Sequence, residues 1–233
     1  NIWCARNAAL LNIRTPCKPR TDTPTEPMEF DSRIPLGSCD IEAMIAKLPP
    51  LTRRGIRKSF KAGLAVNFGG QNLLTDLYYI LYATRRRIGL PLPRQDYYAA
   101  ILEQLDAGIL CIYHRGTPLS GCLYLRDPHH LHYAVPGTTT EGRRLGAGDR
   151  LLRELLVHAG ESGCQEVCLG GSPASHSGLM AFKARWGSIQ TPIYQYGTQS
   201  VARGPSRILA SFVKMLPKTA IGPITRLLIR HLY

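Results

Sequence analysis

Apolar positions recur with a helical period from Ile41 onward and switch to strict alternation near residue 108. Residues 41–48, IEAMIAKL, predict a short helix with Cys39 and Asp40 at its start. Pro49 and Pro50 then open a second helix that Gly63 ends. Leu73, Leu74, Leu77, Ile80 and Leu81 mark a third helix, which runs into Arg85, Arg86 and Arg87 and stops at Gly89 and Pro91. RQDYYAAILEQLDAG predicts a fourth, with Gly108 as its C-terminal residue.

Beyond it, residues 109–114, 121–126 and 130–135 alternate as strands with turns at RGTP and RDPH, which predicts an antiparallel meander. One amphipathic helix is expected across RRLGAGDRLLRELLVHAGESG, with Leu151, Leu152, Leu155, Leu156 and Ala159 on one stripe and its end at Gly160 or Gly163. EVCLGG reads as a buried strand, GLMAFKARWG as a short helix and PIYQYG as a last strand. Strands mixed with helices in this order predict an α+β fold. Residues 15–40, with Pro16, Pro19, Pro24, Pro27 and Pro35, read as an extended linker; CARNAALLNIR before them reads as one strand.

Composition changes the picture in one respect. The formal net charge is +13 over 233 residues, which draws the chain to polyanions: RNA, phosphorylated intermediates or an anionic membrane surface. Arg53, Arg54, Arg57, Lys58 and Lys61 crowd the second helix with no acidic residue among them. Residues 201–233 interleave Lys and Arg with Ile208, Leu209, Phe212, Val213, Leu216, Leu227 and Leu228, a basic amphipathic tail that either lies on an anionic membrane or packs back on the domain. No apolar run is long enough to span a bilayer and no signal peptide is recognisable, so a cytoplasmic chain, free or peripheral on the inner membrane face, is expected. The seven cysteines form no CxxC pair and read as reduced, buried thiols.

Chemistry gathers in a few places. RRLGAG places Arg143, Gly146 and Gly148 just before the strongest helix, where exposed amides can cradle a pyrophosphate. His129, His130 and His132 span a turn and a strand; with Asp127 as the nearest acidic ligand they read as a surface hairpin, and no metal is expected. Phe182 and Trp186, four apart on a helix, are expected to bury against the sheet. Arg185 points elsewhere on that helix.

The Arg-x-x-Gly-x-Gly pattern after a three-stranded meander resembles the coenzyme A loop of the GNAT acyltransferase fold. Gly178, Leu179, Phe182, Lys183, Trp186 and Gly187 are similar to the Gly-Leu-x-x-Phe-Lys-x-x-Trp/Phe-Gly signature of the C-terminal GNAT-type domain of the FemAB family, and the likeness covers roughly residues 50–200. Cys168-Leu169-Gly170-Gly171 departs from the family's Asp-Phe-Gly-Arg.

The resemblance implies a GNAT-like, mostly antiparallel sheet flanked by helices. It divides the chain into residues 1–48, a linker or remnant of a first GNAT-like domain, residues 49–200, the domain itself, and the tail 201–233. A chain that opens on Asn1 reads as truncated or minimal. The implied activity is acyl transfer to an amine: FemAB-like movement of an amino acid from aminoacyl-tRNA in cell-envelope or related peptide and polysaccharide synthesis. The alternatives are acetylation from a coenzyme A thioester and a non-catalytic membrane- or RNA-binding module. No tightly bound cofactor is implied; the co-substrate is an acyl-CoA or an aminoacyl-tRNA, and the acceptor is an amine, lipid-linked in some relatives.

Aminolysis of an ester needs a neutral amine, a stabilised oxyanion and orientation. Lys183 is implied first, as a cation that holds a substrate phosphate or carboxylate or steadies developing negative charge. His176, Ser177 and Ser172 follow in the strand and loop before its helix. Tyr133 is placed to donate to a leaving group. Arg57 and Lys58, with Arg143, Gly146 and Gly148, are placed to bind the donor.

Overall fold

The computed structural model describes residues 12–16, 27, 29–37 and 40–197. The basic tail 201–233 lies outside them. The described residues divide into two compact units, those within 36–167 and those within 12–35 with 168–197.

In the larger unit α1 (Ile41–Ala46), α2 (Pro50–Lys61), α3 (Leu74–Ile88) and α4 (Gln95–Gln104) precede the meander. Strands β3 (Ala65–Gly69), β4 (Ala107–His114), β5 (Thr117–Arg126) and β6 (His130–Thr138) follow the order β6-β5-β4-β3, every pair antiparallel. Helices α5 (Thr140–Leu145) and α6 (Ala147–Glu161) follow.

The interior of β4 is buried at every position because both its faces are covered. Ile109, Cys111 and Tyr113 pack with Leu74, Leu77, Ile80 and Leu81 of α3. Leu110 and Ile112, equally buried, point to the opposite face. Helix α6 packs on β4, β5 and β6 with its leucine stripe fully buried. The β4–β5 hairpin closes through Arg115 and Gly116 at φ 51° and 78°, a turn whose twist matches that of the strands.

The smaller unit holds β1 (Asn12–Thr15), β2 (Glu29–Pro35), most of β7 (Glu166–Pro173), α7 (Ser177–Ala184) and β8 (Ile189–Gly197), in strand order β1-β8-β2-β7. Both β1 and β2 pair antiparallel with β8. Trp186, fully buried, is the largest side chain in its core.

Three expectations need correction. Residues 29–35 form a strand where proline content reads as linker: Glu29–Arg33 pair with Ile189–Ile193, and Ser32 and Ile34 are buried. Gly108 does not end a helix; α4 stops at Gln104, and Gly108 pairs with Tyr124 inside the meander. The expected continuous helix over 143–163 breaks at Gly146, whose left-handed φ of 77° caps α5 and starts α6. Gly160 stays inside α6, where Ile41 of α1 packs against it, and Gly163 follows the helix end at φ 73°.

Candidate active site

In the larger unit the expected donor loop is tied to the basic helix. A Cβ on Gly146 would lie 2.6 Å from the Gly55 carbonyl oxygen of α2, and one on Gly55 would collide with the Asp149 carboxylate. Two glycines therefore let α2 settle on the first turn of α6. Gly146 is buried, Gly148 half-buried, and Asp149 supplies a negative charge at the helix N-terminus, where the dipole favours one. Phe60 of α2 lies 3.7 Å beneath the Arg150 guanidinium, extending the contact by a turn.

On the outer side of α2, Arg54, Arg57, Lys58 and Lys61 are exposed, and none forms an ion pair among the described residues. Arg143 is exposed on α5, close enough to Arg87 of α3 to help lower the Arg87 pKa, chiefly a burial effect. Tyr133 of β6 is half-buried; burial first, then Cys122 and Asp149, push its phenol well above the ordinary range, so it stays a neutral donor. The structure thus gathers Arg57, Lys58, Gly146, Gly148 and Tyr133 around the α2–α6 contact. Gly55 and Asp149, which hold that contact, escape sequence reasoning; the only signal is a glycine inside an otherwise basic helix.

The other predicted residues belong to the smaller unit. Lys183 is not an exposed helix lysine: only 5% of it is accessible. Its Nζ donates to the carbonyl oxygens of Gly170 at 2.6 Å and Gly171 at 3.4 Å. Burial lowers its pKa to about 8, against a smaller upward pull from Asp31 of β2. Gly170 has φ 71°, so this stretch of β7 turns its carbonyls toward the lysine only because no Cβ is present.

Ser172 is fully buried, and its Oγ has no hydrogen-bond partner among the described residues; the same holds for Ser32 of β2 and for the Trp186 indole N–H. His176 and Ser177 are exposed at the start of α7. Of the two aromatic residues of the signature, Trp186 is buried as expected. Phe182 is only half-buried and lies under Arg185 at 5.3 Å.

The chemistry within this unit follows from an inventory of donors. A neutral lysine amine has two N–H donors and one lone pair. Above about pH 8, where the amine is neutral, two N–H groups on the Gly170 and Gly171 carbonyls leave the lone pair to accept a proton.

Residues 52–184 match the acetyltransferase (GNAT) domain model. Among solved structures the chain is similar to FemX, at 15% identity and a TM-score of 0.64, over 72% of this chain and 61% of that one. It is also similar to the C-terminal domain described as that of a lysylphosphatidylglycerol synthetase from Agrobacterium fabrum, at 15% identity and a TM-score of 0.58, over 90% and 66%. A third is L-PGS from Bacillus licheniformis, at 11% identity and a TM-score of 0.56, over 97% and 69%. The chain spans under two thirds of the length of the first two. No curated protein matches it. The α+β architecture of meander, glycine-opened helix and returning strand, together with a domain match over more than half of its length, makes the chain a member of the GNAT family of N-acyltransferases.

Proposed function

We propose that the chain transfers an amino acid from aminoacyl-tRNA to an amine acceptor, in cell-envelope or related peptide and polysaccharide synthesis. The observation that carries this reading is the α2–α6 contact. At the point where a coenzyme A pyrophosphate is expected, Gly146 is consumed by packing against Gly55, and Asp149 already complements the helix dipole. The helix that covers this point turns Arg54, Arg57, Lys58 and Lys61 outward, a charge pattern suited to a nucleic-acid backbone. Fold likeness to FemX and to a synthetase named for lysylphosphatidylglycerol, a lipid that carries a lysyl group, supports the same choice. An acceptor held at an anionic membrane surface is consistent with it; among the described residues no helix is long and apolar enough to cross a bilayer.

In the proposed reaction the acceptor amine attacks the ester carbonyl carbon of the donor. A C–N bond forms, the C–O bond to the tRNA ribose breaks, and the amine proton goes to Lys183, which returns it to the leaving ribose hydroxyl. In the smaller unit His176 and Ser177 help hold the acceptor, with the buried Ser172 supporting the strand behind them; in the larger unit Tyr133 is the hydrogen-bond donor on the side of the donor-binding residues. Arg57, Lys58 and Arg143 hold donor phosphates, and Gly146 and Gly148 shape the donor loop through helix packing.

The test is binding of the purified chain to an aminoacyl-tRNA pool, to the same pool deacylated, and to acetyl-coenzyme A, each across a salt series, with transfer to amines followed in parallel. Salt-sensitive binding that prefers the aminoacylated pool and weakens in Arg57→Glu/Lys58→Glu is the expected result. Saturable acetyl-coenzyme A binding with no tRNA binding would make the chain an acyl-CoA-dependent N-acetyltransferase instead. Binding of tRNA without transfer to any amine would identify a non-catalytic RNA-binding module.

A further inference from the structure

The turn between β5 and β6 brings together three side chains that the acyl-transfer chemistry does not use. Asp127 Oδ1 accepts the backbone N–H groups of His129 and His130, each at 2.9 Å. The His130 Nδ1 lies 2.9 Å from either Asp127 oxygen, and the His132 Nε2 lies 3.2 Å from Oδ2. One ligand atom from each of Asp127, His130 and His132 falls within 4.8 Å of the others, and all three side chains are partly open to solvent.

The far side of His130 is built as well. Its Nε2 sits 3.2 Å from Oε1 of Glu166, the first residue of β7. With an ion bound, a proton on Nε2 donated to Glu166 leaves the Nδ1 lone pair for the metal, which takes the place of the proton that otherwise bridges Nδ1 and Asp127. A carboxylate behind an imidazole in this way is the usual orienting partner of a metal-bound histidine.

We propose that Asp127, His130 and His132 form a binding site for a divalent transition-metal ion, zinc first, with Glu166 as the positioning residue for His130. Two imidazoles and one carboxylate are the donor set of a borderline ion and not of magnesium or calcium. Zinc takes such ligands at about 2 Å, so the three atoms need close by only a fraction of their present spread. The donors carry a net negative charge at neutral imidazoles, with a second carboxylate at hand, on a chain of net charge +13. Three protein ligands leave at least one coordination position to water. The His129 carbonyl accepts from Gln165 N at 2.7 Å, so an ion here fastens the hairpin tip beside the start of β7. Sequence spacing alone reads these histidines as a surface hairpin, because Glu166 joins from a strand begun 36 residues after His130.

Cobalt(II) is the probe: titrated into the full chain after chelator treatment, it reports imidazole and carboxylate ligation through its visible absorption. One saturating equivalent is expected, displaced by zinc and abolished in His132→Ala and in Asp127→Asn, the latter retaining the turn-capping oxygen. Glu166→Gln should weaken binding by about ten- to a hundredfold without abolishing it. Circular dichroism of each variant confirms that the fold is kept. Absence of cobalt uptake by the unmodified chain, or uptake undiminished in both ligand variants, overturns the proposal.

Discussion

Lys183 occupies an unusual position for a lysine: nearly inaccessible, donating to two carbonyls of its own chain, with its pKa brought down to about 8 by burial. Because the charged form is disfavoured in the folded state, the unfolded chain holds this proton more tightly. Stability therefore rises with pH from about 8 toward the unfolded value of 10.5, and the penalty below pH 8 is on the order of 3 kcal/mol. The Lys183→Met variant should lose this rise, measured as the difference in denaturant stability between variant and parent across that interval. Under the proposed mechanism, kcat/KM for transfer climbs to a plateau near the same pH, and Lys183→Ala loses both that limb and about a hundredfold in rate; retention of full activity by a folded variant would exclude the lysine from the chemistry. The residue is picked out by its signature, but its inward orientation is not, since nothing in GLMAFKARWG says that Gly170 will offer carbonyls from thirteen residues upstream.

At the level of elements, the glycine contact between α2 and α6 decides how the loop before α6 packs. Adding a methyl group to Gly146 meets the Gly55 carbonyl and also forces a left-handed residue off glycine, so Gly146→Ala should cost roughly 2–4 kcal/mol in urea denaturation. Gly148→Ala is the control: its Cβ meets only ordinary contacts, so the cost should stay below about 1 kcal/mol. The long periodic helices and the meander are legible because each signals itself locally, in leucine spacing or alternation. Strand β2 is not: its partner β8 lies some 160 residues away, and EFDSRIP sits among prolines. Strand β3 is too short to establish a period, and Gly108 carries the same punctuation whether it caps a helix or lies inside a strand. The break at Gly146 is hidden because both flanking segments are helical.

Over the whole molecule, the excess of 29 basic over 16 acidic residues leaves the surface of α2 without compensation. If donor phosphates are held there, the logarithm of affinity for aminoacyl-tRNA should fall steeply with the logarithm of salt concentration. Arg57→Glu/Lys58→Glu should reduce that slope by about 2, which filter binding at several ionic strengths would measure. An unchanged slope would move the donor contact elsewhere.

Cys111, Cys122, Cys164 and Cys168 are all buried and none is in a disulfide. Burial raises the Cys111 thiol to about 12 and holds the Cys122 thiol well above its ordinary range, so at neutral pH neither presents the thiolate that alkylating reagents attack. Since Cys111 and Cys122 lie at the centre of the meander, modification of this pair can proceed only as fast as the sheet itself opens. Their labelling rate is therefore a built-in clock for unfolding, readable by mass spectrometry with no probe added to the chain.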